Sequence, residues 1–251
     1  MDKEIELPRI VHIEDDETSI NYRWREGGNK LEDKGIQIWS VENDLPQIKD
    51  KCLFYPLLHS PIIGDTYAKD PFGSNTLIYI DSLEEYILEK KVACISNIVK
   101  SLGASHFSYN LSISKSNKEE NNADANAGFK SFSGDVKMAK KTDEDLTNKF
   151  KNDYKYESVL NENSYKKAIE LAKQYNLYGD PMIKDTLIAQ RNPSEQSLLK
   201  EFNQSIDLSQ ELNESLDVAA NLKLNFFEFS GDFIETINYK YKMSLNMQIE
   251  F

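Results

Sequence analysis

Apolar and polar residues alternate most regularly at residues 233–251. Phe233, Ile237, Tyr239, Tyr241, Met243, Leu245, Met247, Ile249 and Phe251 fall at odd positions, with Glu235 the one polar member, while Thr236, Asn238, Lys240, Lys242, Ser244, Asn246, Gln248 and Glu250 fall at even ones, with Ile234 the one apolar member. Side chains of a strand alternate faces with period two, so this pattern predicts a β-strand with one dry and one wet face. At roughly 3.3 Å per residue it would run about 60 Å, as one long bent strand or two in line. A second alternation, Phe107, Tyr109, Leu111 and Ile113 between Ser108, Asn110, Ser112 and Ser114, predicts a similar half-buried strand. Phe132, Gly134, Val136 and Met138, then Phe150, Tyr154 and Tyr156, extend the pattern and predict two or three antiparallel strands.

Helical spacing appears between these groups. Leu83, Ile87, Val92, Cys94, Ile95, Ile98, Val99 and Leu102 form an apolar stripe that Ser82 and Glu85 would open as a capping box and Gly103 would close. Ala168, Ile169, Leu171, Ala172 and Tyr175 predict a helix over 164–178, ended by Gly179-Asp180-Pro181. After Pro193 the residues Leu198, Leu199, Phe202, Ile206, Leu212, Leu216 and Ala219 predict a helical tract that residues 207–209 could break in two. Leu222, Leu224 and Phe226 lead through Ser230-Gly231-Asp232 towards the terminal strand as a long hairpin.

The first eighty residues are less regular. Short strand-like runs at 10–13 and 36–41, and another at 77–80, predict a small sheet, while prolines and glycines in 52–79 favour extended, turning chain over helix. The fold expected is therefore α+β. A long curved antiparallel sheet (strands about 105–116, 128–158 and 220–251) is packed by helices at about 82–102, 164–178 and 194–220. We expect one intertwined domain of 251 residues, with 1–80 as an acidic sheet and loop region and 81–251 as the helix–sheet core, because no Pro/Gly/Ser linker divides it. Residues 115–128 lack apolar anchors and predict a mobile loop. The tetrapeptide Phe-Ser-Gly-Asp occurs at 132–135 and 229–232, which raises an internal duplication against chance recurrence.

Composition narrows the function classes. Thirty basic against 42 acidic residues give a formal charge of −12, which disfavours phosphate backbones and so nucleic acid. Basic residues cluster at 137–141 and 149–155, diluted by acidic ones. Two cysteines, Cys52 and Cys94, and the absence of an apolar opening segment point to a reducing cytoplasm. No apolar run reaches eighteen residues, as a helical membrane span requires, but strands that insert in membranes carry apolar residues only at alternate positions.

Candidate chemistry is sparse. His12 stands before Glu14, Asp15, Asp16 and Glu17, an oxygen-rich set that could hold a divalent ion or otherwise marks a strand end running into an acidic turn. His59 is a general-base candidate only if a nucleophile folds beside it, and His106, at a strand start, reads as structural. Cys94 lies on a helical stripe as a small hydrophobe, and Cys52 neighbours Lys49 and Lys51, a setting that favours a thiolate over simple packing only with a placed histidine. No phosphate loop, nucleophile elbow or paired-cysteine motif is present, so no catalytic, cofactor or metal residue is assigned.

Tyr239 and Tyr241 near one end of the terminal strand and Phe251 at the other bracket Met243, Leu245, Met247 and Ile249, like the aromatic girdles of membrane barrels. These seven residues are the candidate membrane or assembly face. An ordinary sheet packed on helices produces the same alternation. Two strand groups separated by helices also resemble the general plan of soluble pore-forming proteins such as gasdermins and MACPF proteins, a plan that implies self-association and conditional membrane insertion.

The function expected is a non-enzymatic cytoplasmic effector or scaffold that self-associates through its sheet and, in one form, perforates membranes as a conditional β-type pore, membrane-associated on activation. The alternatives are a soluble module that binds a protein partner through its acidic surface, and an enzyme built around His59 or around His12, Asp15 and Asp16.

Overall fold

The computed structural model describes residues 6–24, 31–117, 151–224 and 239–251. The Phe-Ser-Gly-Asp repeats and most of the expected loop, strand and hairpin segments at 115–128, 128–150 and 225–238 lie outside the described residues.

The first part of the chain forms a mixed five-stranded sheet. Its strands are β1 (Ile10–Glu14), β2 (Ile36–Ser40), β3 (Leu53–Tyr55), β4 (Thr66–Lys69) and β5 (Thr76–Tyr79), in the order β2-β1-β4-β5-β3. β1 runs parallel to β2 and β3 parallel to β5, while β4 runs antiparallel to both β1 and β5. Both faces are apolar. Ile10, Ile36, Ile38, Ala68 and Ile78 join the main core, while Val11, Ile13, Trp39, Tyr67 and Leu77 close a smaller core with Leu7 and Cys52. Sequence reading passed over α1 (Asp16–Arg23) and α2 (Leu45–Ile48). Asp15 caps α1 by accepting from the Thr18 N–H, and so few apolar residues line this helix that no stripe announces it.

α3 (Leu83–Ser101) matches the predicted stripe, with Leu83, Ile87, Leu88, Val92, Cys94, Ile95, Ile98 and Val99 buried. Its start differs from the capping box. Ser82 has helical dihedrals, makes no side-chain cap bond and ends a 3-10 turn that already feeds the helix. Gly103 takes φ +84°, as the helix end requires.

α4 (Glu162–Gln174) begins two residues earlier than expected, where Asn161 and Ser164 form a reciprocal capping box. It ends at Tyr175, with Asn176 left-handed at φ 55°, ahead of the Gly179-Asp180-Pro181 stop. The tract expected to be helical after Pro193 divides differently: residues 201–207 form strand β8 (Glu201–Asp207), and only α5 (Ser209–Ala219) is helical. Phe202 and Ile206 are the two buried residues of β8. Spaced four apart, they fit a helix and a strand equally well, and pairing with the terminal strand decides between them.

The second sheet is antiparallel, in the order β7-β6-β9-β8, with β6 (His106–Asn117), β7 (Lys151–Lys155) and β9 (Tyr239–Glu250). β6 and β9 pair through twelve consecutive residues, from His106 opposite Glu250 to Asn117 opposite Tyr239. The alternation predicted for the terminal strand is present from Tyr241 to Ile249: Tyr241, Met243, Leu245, Met247 and Ile249 are buried, and Lys242, Asn246, Gln248 and Glu250 are exposed. Residues 220–224, expected to start this strand group, form a 3-10 helix instead. One continuous apolar cluster joins the inner face of this sheet, α3, α4, α5 and one face of the first sheet.

Candidate functional site

The face expected to meet lipid or another copy is covered here. Tyr241, Met243, Leu245, Met247 and Ile249 pack in the main core with Leu212, Leu216 and Ala219 of α5 and the apolar stripe of α3. Tyr239 is paired with Asn117 at the end of the ladder. Phe251 is half-buried, and the Arg191 guanidinium lies 4.3 Å over its ring. Burial holds the Arg191 guanidinium below its usual range. The outward face of the ladder is polar: Asn110, Ser112, Asn246 and Gln248 form its middle, between Lys242 and Glu250.

Two contacts fasten α5 over this face. β8 pairs with β9 only from Glu250 to Ser244, and Leu208 then donates its N–H to Met243 O. At Tyr241 the side chain of Asn213 takes the neighbouring strand's place. Its Nδ2 donates to Tyr241 O at 2.7 Å, and its Oδ1 accepts from the Tyr241 N–H at 2.9 Å. A primary amide carries a donor and an acceptor side by side, as a strand edge does, so it can satisfy both backbone groups of one residue.

On the other side of α5, Lys91 of α3 is buried and holds both carboxylate oxygens of Glu211 at 2.7 and 2.8 Å. Its Nζ also donates to Asp207 O at 3.0 Å, so one ammonium ties α3 to both α5 and the end of β8. Burial of a charge is costly unless it is paired and hydrogen-bonded, and here it is both. Sequence reading missed Asn213, Lys91 and Glu211. Each is a polar residue on an otherwise amphipathic helix, and no local pattern marks its partner.

The histidine candidates resolve into separate places. His12 is wholly buried, with Nδ1 2.9 Å from Thr66 Oγ1 and Nε2 3.0 Å from Glu14 Oε1. Asp15 is committed to the cap of α1, while Asp16 bonds Ser40 and Asn43. The acidic run is thus distributed among three local tasks, and among the described residues no group of three His, Cys, Asp or Glu could hold a metal ion.

His59 sits 2.8 Å from the buried carboxylate of Asp65, which also accepts from Tyr67 OH and the Ile62 N–H, and its ring stacks on Tyr79 at 4.5 Å. Burial, and after it the Asp65 charge, holds the Tyr67 phenol above its ordinary range. An Asp–His pair is half of a general-base arrangement, but among the described residues no serine or cysteine hydrogen-bonds to this imidazole. Cys52 is buried, and burial pushes its thiol up to about 11; Cys94 is pushed up to about 12 for the same reason. Both behave as packing residues. His106 bridges Asp153 across the β6–β7 pair at 2.7 Å, as its structural reading implies.

No helix among the described residues is long and apolar enough to cross a membrane. Compared with known proteins, the chain matches no protein family, no curated protein and no solved structure.

Proposed function

We propose that this protein is a non-enzymatic effector or scaffold that self-associates through its four-stranded sheet. The observation that carries the reading is the edge of β9 at Tyr241, where strand pairing has ended and the Asn213 side chain stands in for a strand. Displacing α5 would uncover a strand edge together with a continuous apolar face, the two features that template pairing with a second copy. β9 is apolar at every second position from Tyr239 to Ile249 and polar between, while the apolar side of its partner β6 runs only from Phe107 to Ile113, before Lys115 and Asn117; the length and alternation of β9 suit a strand that crosses a bilayer beside water, since about 9–11 tilted residues suffice. The membrane-perforating form of the reading rests on that match of length and polarity.

The test is a comparison of the parent protein with Asn213→Ala by light scattering and by dye release from vesicles. The expected result is a monomeric parent and a variant that forms larger species and releases dye faster. A parent and a variant that both stay monomeric and release no dye, even after limited proteolysis, would overturn the reading.

A further inference from the structure

A second surface has no part in the four-stranded sheet. Residues 52–64 contain no Asp, Glu, Lys or Arg in a chain of which 29% is charged. Within this stretch Leu53, Leu57, Leu58, Ile62 and Ile63 are exposed by 61, 78, 101, 60 and 52%. Full exposure of Leu58 means that the segment projects from the surface instead of lining a groove.

The projection is held in shape from beneath. Asp65, itself buried, accepts from the Ile62 N–H, His59 and Tyr67, and the Gly64 N–H donates to Ile13 O of β1. His59 donates its N–H to Pro56 O, and Asp65 donates its own to Ile62 O. Among the eight residues 56–63, then, Pro56 and Pro61 have no N–H to satisfy and His59 and Ile62 have theirs bonded internally. The N–H groups of Leu57, Leu58, Ser60 and Ile63 make none of these bonds and keep water or headgroup partners, which the membrane boundary supplies and the hydrocarbon core does not.

We propose that residues 53–63 form a membrane-interface anchor that lowers Leu57, Leu58, Ile62 and Ile63 into the headgroup–acyl boundary of a neutral bilayer. Two observations favour a bilayer over a protein groove. The apolar side chains are aliphatic tips on a projection, whereas protein hot spots are enriched in aromatic residues and arginine seated in pockets. The aliphatic tips adjoin ring pairs, Tyr55 with Tyr86 and His59 with Tyr79, of the amphipathic kind enriched where membranes meet water. Because the attraction is apolar, it operates despite the acidic charge of the whole chain. The inference is independent of sheet self-association: it predicts attachment, whether or not the strands are ever released.

The experiment is co-sedimentation of the full chain with phosphatidylcholine vesicles, for the parent and for L57D/L58D. The expected result is partition of the parent into the vesicle pellet, unchanged by salt at about 0.5 M, where surface charge is screened within a few Å. The double variant should lose at least tenfold in partition, because two exposed apolar side chains no longer transfer. Circular dichroism and melting of the variant should match the parent, since both sites are exposed in the folded protein. A parent that leaves the vesicles unbound, binding abolished by salt, or an equally bound L57D/L58D would each overturn the proposal. So would a parent dimer that the same substitutions dissociate, which would assign the projection to a second copy. Vesicle binding that persists while parent and Asn213→Ala protein both stay monomeric and release no dye would sink the sheet reading alone.

Discussion

The Asn213 side chain bonds both backbone groups of Tyr241, so a helix side chain completes a strand ladder that β8 leaves unfinished. This contact links the covering helix to β9, a central strand of the second sheet. Asn213→Ala removes both bonds to the partly buried N–H and C=O of Tyr241. The expected loss is about 1–3 kcal/mol, read as a lower urea midpoint, together with the larger assemblies described above.

The Lys91–Glu211 pair should show the asymmetry of buried charges. Glu211→Ala leaves the Lys91 ammonium with only the Asp207 carbonyl among its recorded partners, at an expected cost of about 3–5 kcal/mol. The double change Lys91→Met/Glu211→Leu should recover most of that stability. A double-mutant cycle from urea unfolding checks this, and a Glu211→Ala protein as stable as its parent would remove the pair from the account of what holds α5.

Removing residues 243–251 should leave protein that does not fold. β9 pairs on both sides and buries Met243, Leu245, Met247 and Ile249. At about 1.5–3 kcal/mol for each side chain, their burial rivals the whole stability of a typical domain, about 5–15 kcal/mol. Leu245→Lys should act similarly by placing an unpaired charge in the core. Loss of the cooperative melt followed by circular dichroism is the expected signature.

Gly103→Ala should destabilise for a reason of backbone and space together. The residue has φ +84°, and an added Cβ would stand 2.9 Å from the Leu160 side chain. The left-handed conformation alone costs about 1–2 kcal/mol for a residue with a Cβ, so a loss of at least that size in thermal or urea unfolding is expected.

Stability should fall at alkaline pH. Burial raises Cys52 to about 11 and Cys94 and Tyr86 to about 12, from ordinary values of 9.0 for the thiols and 10.0 for the phenol. Above pH 9 the unfolded chain releases these protons while the folded one retains them, so stability declines as pH rises. Urea midpoints should be flat with respect to these groups below pH 9 and drop towards pH 11–12. Thiol reagents at pH 8 should label the native protein far more slowly than the denatured one.

By itself the sequence determined the elements whose periodicity is set by burial on one side. The alternation of Tyr241, Met243, Leu245, Met247 and Ile249 and the helical stripe from Leu83 to Val99 both follow from the fixed directions of side chains along a strand or helix, and both are present. Residues 52–64 were equally open to reading as a charge-free stretch, but their exposure was not, because an apolar run looks the same in a core and on a projection. Tertiary structure alone decided the rest. Phe202 and Ile206, four apart, became strand because β9 offered them a partner. Asp15, Asp16 and His12, adjacent in sequence, were sent to three different hydrogen-bonding tasks, while Asn213 met Tyr241 from 28 residues away. Local pattern reports which face of an element seeks burial; the partner that meets each polar group is chosen by how distant elements pack, and no periodicity encodes that choice.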